Sequence, residues 1–207
     1  MESAGFHYKL DIPAEVPDCA VVLLHGSGRT EEDLIPFGRA VFPRGALYAP
    51  RGTVAWEAGF AFFRRRPDRQ LDSDDLRHRA GGLCRFVTFV FEQTGQRPLL
   101  VGYSNGAIIA AEALCQNRHL SKGAILLRPL SPRNDALLPN LTGYPVLLLA
   151  GAHDDRRHPC DAPHLAGQLA SAGAEVVLET IDTGHGWAED AMDERLSRQW
   201  LARGSTA

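Results

Sequence analysis

The sequence predicts an α/β fold, a mostly parallel central sheet with helices on both faces. Three observations carry this. Short apolar runs rich in β-branched residues alternate with longer stretches of helical period, the pattern of βα units wound on one sheet. Most of the short runs are apolar at successive positions, as expected of central parallel strands covered on both sides. One of them also runs through a glycine-flanked turn straight into an amphipathic segment, which is a strand-turn-helix unit.

Taken in order, strands are expected over residues 6–10, 20–24, 46–49, 98–103, 124–127, 146–150 and 175–181. Helices are expected over 31–41, 74–93, 106–116, 162–172 and 188–202. Asp72 or Ser73 suits the N-cap of the second helix, and Asp74 and Asp75 complement the dipole in its first turn. Leu76, Leu83, Phe86, Val87, Val90 and Phe91 recur at spacings that give that helix a buried stripe. Residues 51–71 and 128–142 carry no regular pattern. Both follow expected strands, so both should lie outside the carboxyl ends of the sheet, where open α/β folds bind ligands.

With 207 residues, 44% of them hydrophobic, the chain can fill one sizeable core, and a single domain spanning 1–207 is expected without a linker or a lid insertion. Lys plus Arg number 22 against 25 Asp plus Glu, a net charge of −3, which favours neither nucleic acid nor an anionic membrane as partner. The first residues lack the basic and apolar regions of a signal peptide, and no apolar run approaches the roughly 18 residues of a membrane span. A cytoplasmic location is the expectation. Cys19, Cys84, Cys115 and Cys160 are scattered without a paired motif and are expected to be reduced and packed as small apolar groups.

The strand-turn-helix unit contains Gly102, Tyr103, Ser104, Asn105 and Gly106, a GxSxG motif in the context the motif requires. Such a turn forces the serine into a strained conformation and presents its hydroxyl at the mouth of the sheet. Glycines at 102 and 106 let strand and helix approach closely. The N–H of Asn105 and the positive end of the helix dipole are then available to an oxyanion. A second donor is expected from the loop His25-Gly26-Ser27-Gly28, with the Ser27 N–H as candidate and His25 as a structural, hydrogen-bonded residue.

Serine acyl transfer needs an imidazole to take the proton and a carboxylate to fix and stabilise it. Asp154 and His185 lie on loops after later strands, in the order serine, acid, histidine. Asp155 competes with Asp154 and is otherwise a turn residue. Gly184 and Gly186 flank His185 and are expected to let its loop reach Ser104. The cluster His153, Asp154, Asp155 and His158 fits none of the established zinc spacings, so neither metal nor cofactor is expected.

On these motifs, from LLHGSGRTEEDL through GYSNG to GAHDD and TGHGW, nearly the whole chain resembles the small carboxylesterase and phospholipase-type α/β-hydrolases, next to dienelactone hydrolases and acyl-protein thioesterases. FAFFRRRPDRQLDSDDL, GYSNGAIIAAEAL and GAILLRPLSP are similar to bacterial hydrolases associated with quinone and hydroquinone stress. The resemblance implies Ser104 as nucleophile, Asp154 as acid, His185 as base, and the Ser27 and Asn105 N–H groups as oxyanion hole. Asp155 stands where many relatives have proline, and RPLSP replaces a more apolar segment. Serine rather than cysteine in the elbow argues against a lactonase of the dienelactone type.

The expected substrate is a small-molecule ester with a short or medium acyl group, bound in an open site bordered by residues 51–71. Trp56, Phe60, Phe62 and Phe63 are candidates for an aromatic wall, and equally for a small core of that segment. Arg64, Arg65 and Arg66 are candidates to attract a substrate carboxylate, with at least two of the three facing solvent. The alternatives are an acyl-thioesterase or lysophospholipase-type hydrolase and a non-catalytic binding protein on a hydrolase scaffold. A homodimer is compatible with the sequence.

Overall fold

The structure, a computed structural model, describes residues 1–68, 70–133 and 137–204. In chain order its elements are β1 (Glu2–Ser3), β2 (Phe6–Asp11), β3 (Cys19–Leu24), α1 (Ile35–Val41), β4 (Gly45–Pro50), β5 (Val54–Trp56), β6 (Gly59–Ala61), α2 (Ser73–Thr94), β7 (Leu99–Tyr103), α3 (Asn105–Gln116), β8 (Gly123–Leu127), β9 (Pro145–Gly151), α4 (Asp161–Ser171), β10 (Glu175–Ile181) and α5 (Met192–Gly204). An 8-stranded sheet runs in the order β1-β2-β4-β3-β7-β8-β9-β10. Contacts of β2 with β1 and β4 are antiparallel, and every pairing from β4 to β10 is parallel.

The apolar runs explain why helices cover both faces. Successive strand residues point to opposite sides. Ala20, Val22 and Leu24 of β3 pack into one core with Ala124 and Leu126 of β8 and Val146 and Leu148 of β9, beneath α2, α3 and α4. Their alternates, Val21, Leu23, Ile125, Leu127, Leu147 and Leu149, form the opposite core beneath α1 and α5. Burying one such side chain is worth about 1.5–3 kcal/mol, so exposure of either face would be costly.

Helix α2 matches its expected stripe, with Asp72 as N-cap accepting from Asp75 N–H at 3.1 Å. Phe91 is the exception at 42% exposure, because the 100° step from Val90 carries it past the edge of the stripe. Helix α1 starts at Ile35 rather than Glu31. Pro36 fits the first turn of a helix, while the Glu31 carboxylate is taken up by Arg51 through two hydrogen bonds of 2.5 and 2.6 Å. Helix α5 begins at Met192 rather than 188, since Asp190 and Ala191 have positive φ of 55° and 51° that interrupt helical backbone.

The segment 51–71 is not wholly irregular, because β5 and β6 form an antiparallel hairpin within it. Residues 128–142 carry no helix or strand among those described. The four cysteines are unpaired; burial pushes the thiol of Cys84 up to about 11 and that of Cys115 to about 12. Cys160 faces solvent instead of packing as an apolar group. Among the described residues no helix is long and apolar enough to cross a membrane.

Candidate active site

Parallel pairing brings the loops after β3, β7, β8, β9 and β10 to one edge of the sheet. Ser104 follows β7 there with φ 53° and ψ −104°, the strained turn expected of its motif. Its N–H is held by the Leu127 carbonyl at 2.9 Å. A β-carbon on Gly106 would lie 2.0 Å from the Leu24 carbonyl oxygen, and one on Gly102 would lie 2.5 Å from the Gly106 carbonyl oxygen. Both contacts are with backbone, so no side chain can give way and glycine is obligatory.

Three side chains meet at this edge. His185 Nε2 lies 2.9 Å from Ser104 Oγ, and His185 Nδ1 lies 2.8 Å from each carboxylate oxygen of Asp154. A carboxylate only accepts, so Nδ1 carries the proton and Nε2 presents its lone pair to the serine hydroxyl. Burial lowers the pKa of His185 below its ordinary 6.5, and the Asp154 bond counteracts part of that shift. Asp154 Oδ1 also accepts from the Arg156 N–H at 2.9 Å, which holds the carboxylate in its turn. Asp155 faces solvent.

The Asn105 N–H stands at the first position of α3, where no intrahelical acceptor exists. The loop after β3 lies against the elbow: a β-carbon on Gly26 would touch the Tyr103 ring at 3.1 Å, and one on Gly106 would meet the His25 carbonyl. Ser27 is exposed at the tip of this loop. His25 is structural as expected. Its Nδ1–H donates to the Gly26 carbonyl at 2.7 Å, and its Nε2 accepts from the Gly52 N–H at 2.9 Å.

No family model matches the chain. It is 34% identical over 187 residues to a Bacillus subtilis (strain 168) protein named as a hydrolase, MhqD, a match covering 88% of this chain and 92% of that one. The carboxylesterase of Mesorhizobium loti superposes with a TM-score of 0.88 at 30% identity, and that of Bacillus cereus with 0.87 at 28%; each match covers 95% of this chain and 94% of the other. The chain belongs to the carboxylesterases of the α/β-hydrolase fold.

In this carboxylesterase two of the four aromatic candidates are core. Phe62 and Phe63 are each 1% exposed, and the Phe62 ring packs 4.7 Å from that of His25. The Asn105 side chain accepts the Phe62 N–H at 2.8 Å and so draws this segment inward beside the elbow. These two residues therefore offer no surface to a ligand. Trp56 is half-buried in the hairpin. Arg64 and Arg66 face solvent, and Arg65 is half-buried close enough to Arg157 for the two charges to interact. A cavity of about 220 Å³ lies instead beside Asp154, lined among others by Arg128, Arg157, Ala162 and Thr180.

His153 is engaged by Asp182 at 2.9 Å, and the His158 N–H by Asp161 at 2.8 Å. Among the described residues no three His, Cys, Asp or Glu side chains are grouped as metal ligands. Gly184 and Gly186 are not needed for their flexibility. Neither has a positive φ, and a β-carbon on either would meet only ordinary contact or open space. What holds the His185 loop of the carboxylesterase is a set of residues at positions that no motif specifies. The Tyr103 hydroxyl donates to the His185 carbonyl, and its ring packs against Trp187 at 4.9 Å. Arg128 Nη2 donates to the Gly186 carbonyl at 2.8 Å, and Asp193 accepts from the Ala188 N–H at 2.9 Å. Arg157 also reaches the serine, its Nη2 donating to Ser104 Oγ at 3.1 Å.

Proposed function

We propose that this carboxylesterase hydrolyses small to medium carboxylic esters through an acyl-enzyme on Ser104, with His185 as general base and acid and Asp154 as its orienting carboxylate. The observation that carries the reading is the hydrogen-bonded row from Ser104 Oγ through His185 to Asp154, at 2.9 and 2.8 Å, on a serine whose φ is 53°. Within it, Nε2 takes the hydroxyl proton as Oγ bonds to the carbonyl carbon. Asp154 stabilises the imidazolium formed.

The carbonyl oxygen becomes an oxyanion, for which the Asn105 and Ser27 N–H groups are the donors assigned here. Collapse of the tetrahedral intermediate breaks the ester bond, and the imidazolium returns its proton to the departing alkoxide. Water then repeats the sequence on the acyl-enzyme and releases the acid. No cofactor enters.

The test is a panel of p-nitrophenyl esters of increasing acyl length beside acyl-thioesters of the same chains. Fastest turnover of short and medium esters is the expected outcome. Preference for thioesters, or for long-chain acyl groups, would move the protein to the thioesterase or lysophospholipase class.

A further inference from the structure

The guanidinium of Arg157 is held without a contact ion pair among the described residues. Its Nε donates to the carbonyls of Arg128 and Pro129 at 3.0 and 3.2 Å, Nη1 to the carbonyl of Arg156 at 3.0 Å, and Nη2 to Ser104 Oγ at 3.1 Å. All four acceptors are neutral. A guanidinium has five N–H donors, so these bonds leave one on each terminal nitrogen without an acceptor among the described residues. No carboxylate there lies within ion-pair distance of it, and Asp154 is committed to His185.

Burial lowers the pKa of Arg157 to about 10, which still leaves it a cation at neutral pH. Arg65 opposes its charge from nearby, while Asp154 and Asp161 favour it from beyond ion-pair distance. The cavity that it lines is also lined by Asp154 and by Arg128, which Asp193 neutralises but whose buried Nε has no acceptor. A half-buried cation with no carboxylate in contact is costly, and a guanidinium pairs best with a planar carboxylate.

Around the carbon attacked by Ser104, one direction belongs to the oxyanion donors and one to the leaving oxygen, which must reach His185 Nε2. Arg157 Nη2, 3.1 Å from Ser104 Oγ, is within reach of an acyl group bonded there. We propose that the site takes esters whose acyl half carries a carboxylate a few bonds from the scissile carbonyl, and that Arg157 binds that carboxylate. This rests on the esterase reading above.

Monomethyl succinate and methyl succinamate separate the two claims, because they share shape and leaving group and differ only in carboxylate against amide. Wild-type kcat/KM should favour the succinate by about tenfold or more. Arg157→Met should bring the ratio of the two towards one, and Arg157→Lys should restore part of it. Should Arg157→Met fail to fold, wild-type inhibition is read instead. Succinate should then compete at about tenfold lower concentration than succinamide.

Equal turnover of both esters by wild type, abolished on each by Ser104→Ala, would overturn the carboxylate preference and leave the esterase reading standing. A ratio unchanged by Arg157→Met would overturn it as well. Absence of turnover on both, and on methyl butyrate, would remove the esterase reading itself.

Discussion

Arg128 and Asp193, 65 residues apart in sequence, form a buried two-point ion pair, Nη1 to Oδ1 at 2.8 Å and Nη2 to Oδ2 at 3.0 Å. The same groups bond the Gly186 carbonyl and the Ala188 N–H, so one pair ties the loop that carries His185 to the end of β8. Removing one partner strands a charge in the interior. Arg128→Met or Asp193→Asn should each cost about 3–5 kcal/mol in urea unfolding. Ester turnover should fall in whatever fraction still folds, as the imidazole loses its fixed place.

Asp154 and Asp155 are adjacent in sequence and opposite in environment. Only Asp154 reaches His185, so Asp154→Asn should lower kcat on the order of 10⁴-fold by admitting the wrong tautomer. Asp155→Asn should stay within about twofold, as a solvent-facing turn position. Steady-state kinetics of the two variants decide this, and a reversed order would exchange their roles.

The rate should follow His185. Since burial lowers its pKa below 6.5, kcat/KM should reach half its maximum below pH 6.5, level off above that point and approach a tenfold fall per pH unit well below it. A half-maximal point above pH 7 in a pH–rate profile would show another group in control.

Stability should respond to acid through His25, whose pKa burial lowers to about 4. Its two ring nitrogens are committed as neutral imidazole, one donating to Gly26 and the other accepting from Gly52. Below pH 6.5 the unfolded chain takes up a proton that the folded chain refuses. Stability from this group is therefore complete above 6.5 and lost as pH falls towards 4, by about 3 kcal/mol in all. Unfolding measured from pH 7 to 4.5 should show a shallower acid slope in His25→Leu than in wild type.

Most of the strands were readable because continuous apolar runs bounded by polar or turn residues leave little freedom in where each begins and ends. Ser104 and His185 were readable because a local turn or loop marks each of them, whereas the loop alone left Asp154 in competition with Asp155 and the family resemblance favoured Asp154. The hairpin of β5 and β6 was not, since its turn uses Glu57 with φ 50° rather than the asparagine or glycine that announces such turns. Phe62 and Phe63 stayed open between wall and core in the sequence, because nothing local reveals that Asn105 draws this segment inward.

Arg128 left one trace, an arginine closing an apolar strand, but its partner Asp193 sits in a distant helix of ordinary composition. Arg157 was hidden in a charged loop where solvation was the natural expectation. Contacts made across long separations leave no periodicity, and these are the ones that hold the site in place.

The most direct measurement is covalent labelling by a fluorophosphonate probe, with the modified peptide mapped by mass spectrometry in wild type and Ser104→Ala. The expected result is a single adduct on Ser104 in wild type, and neither adduct nor ester turnover in the variant. Labelling elsewhere, or full hydrolytic activity without the Ser104 hydroxyl, would contradict catalysis by this serine.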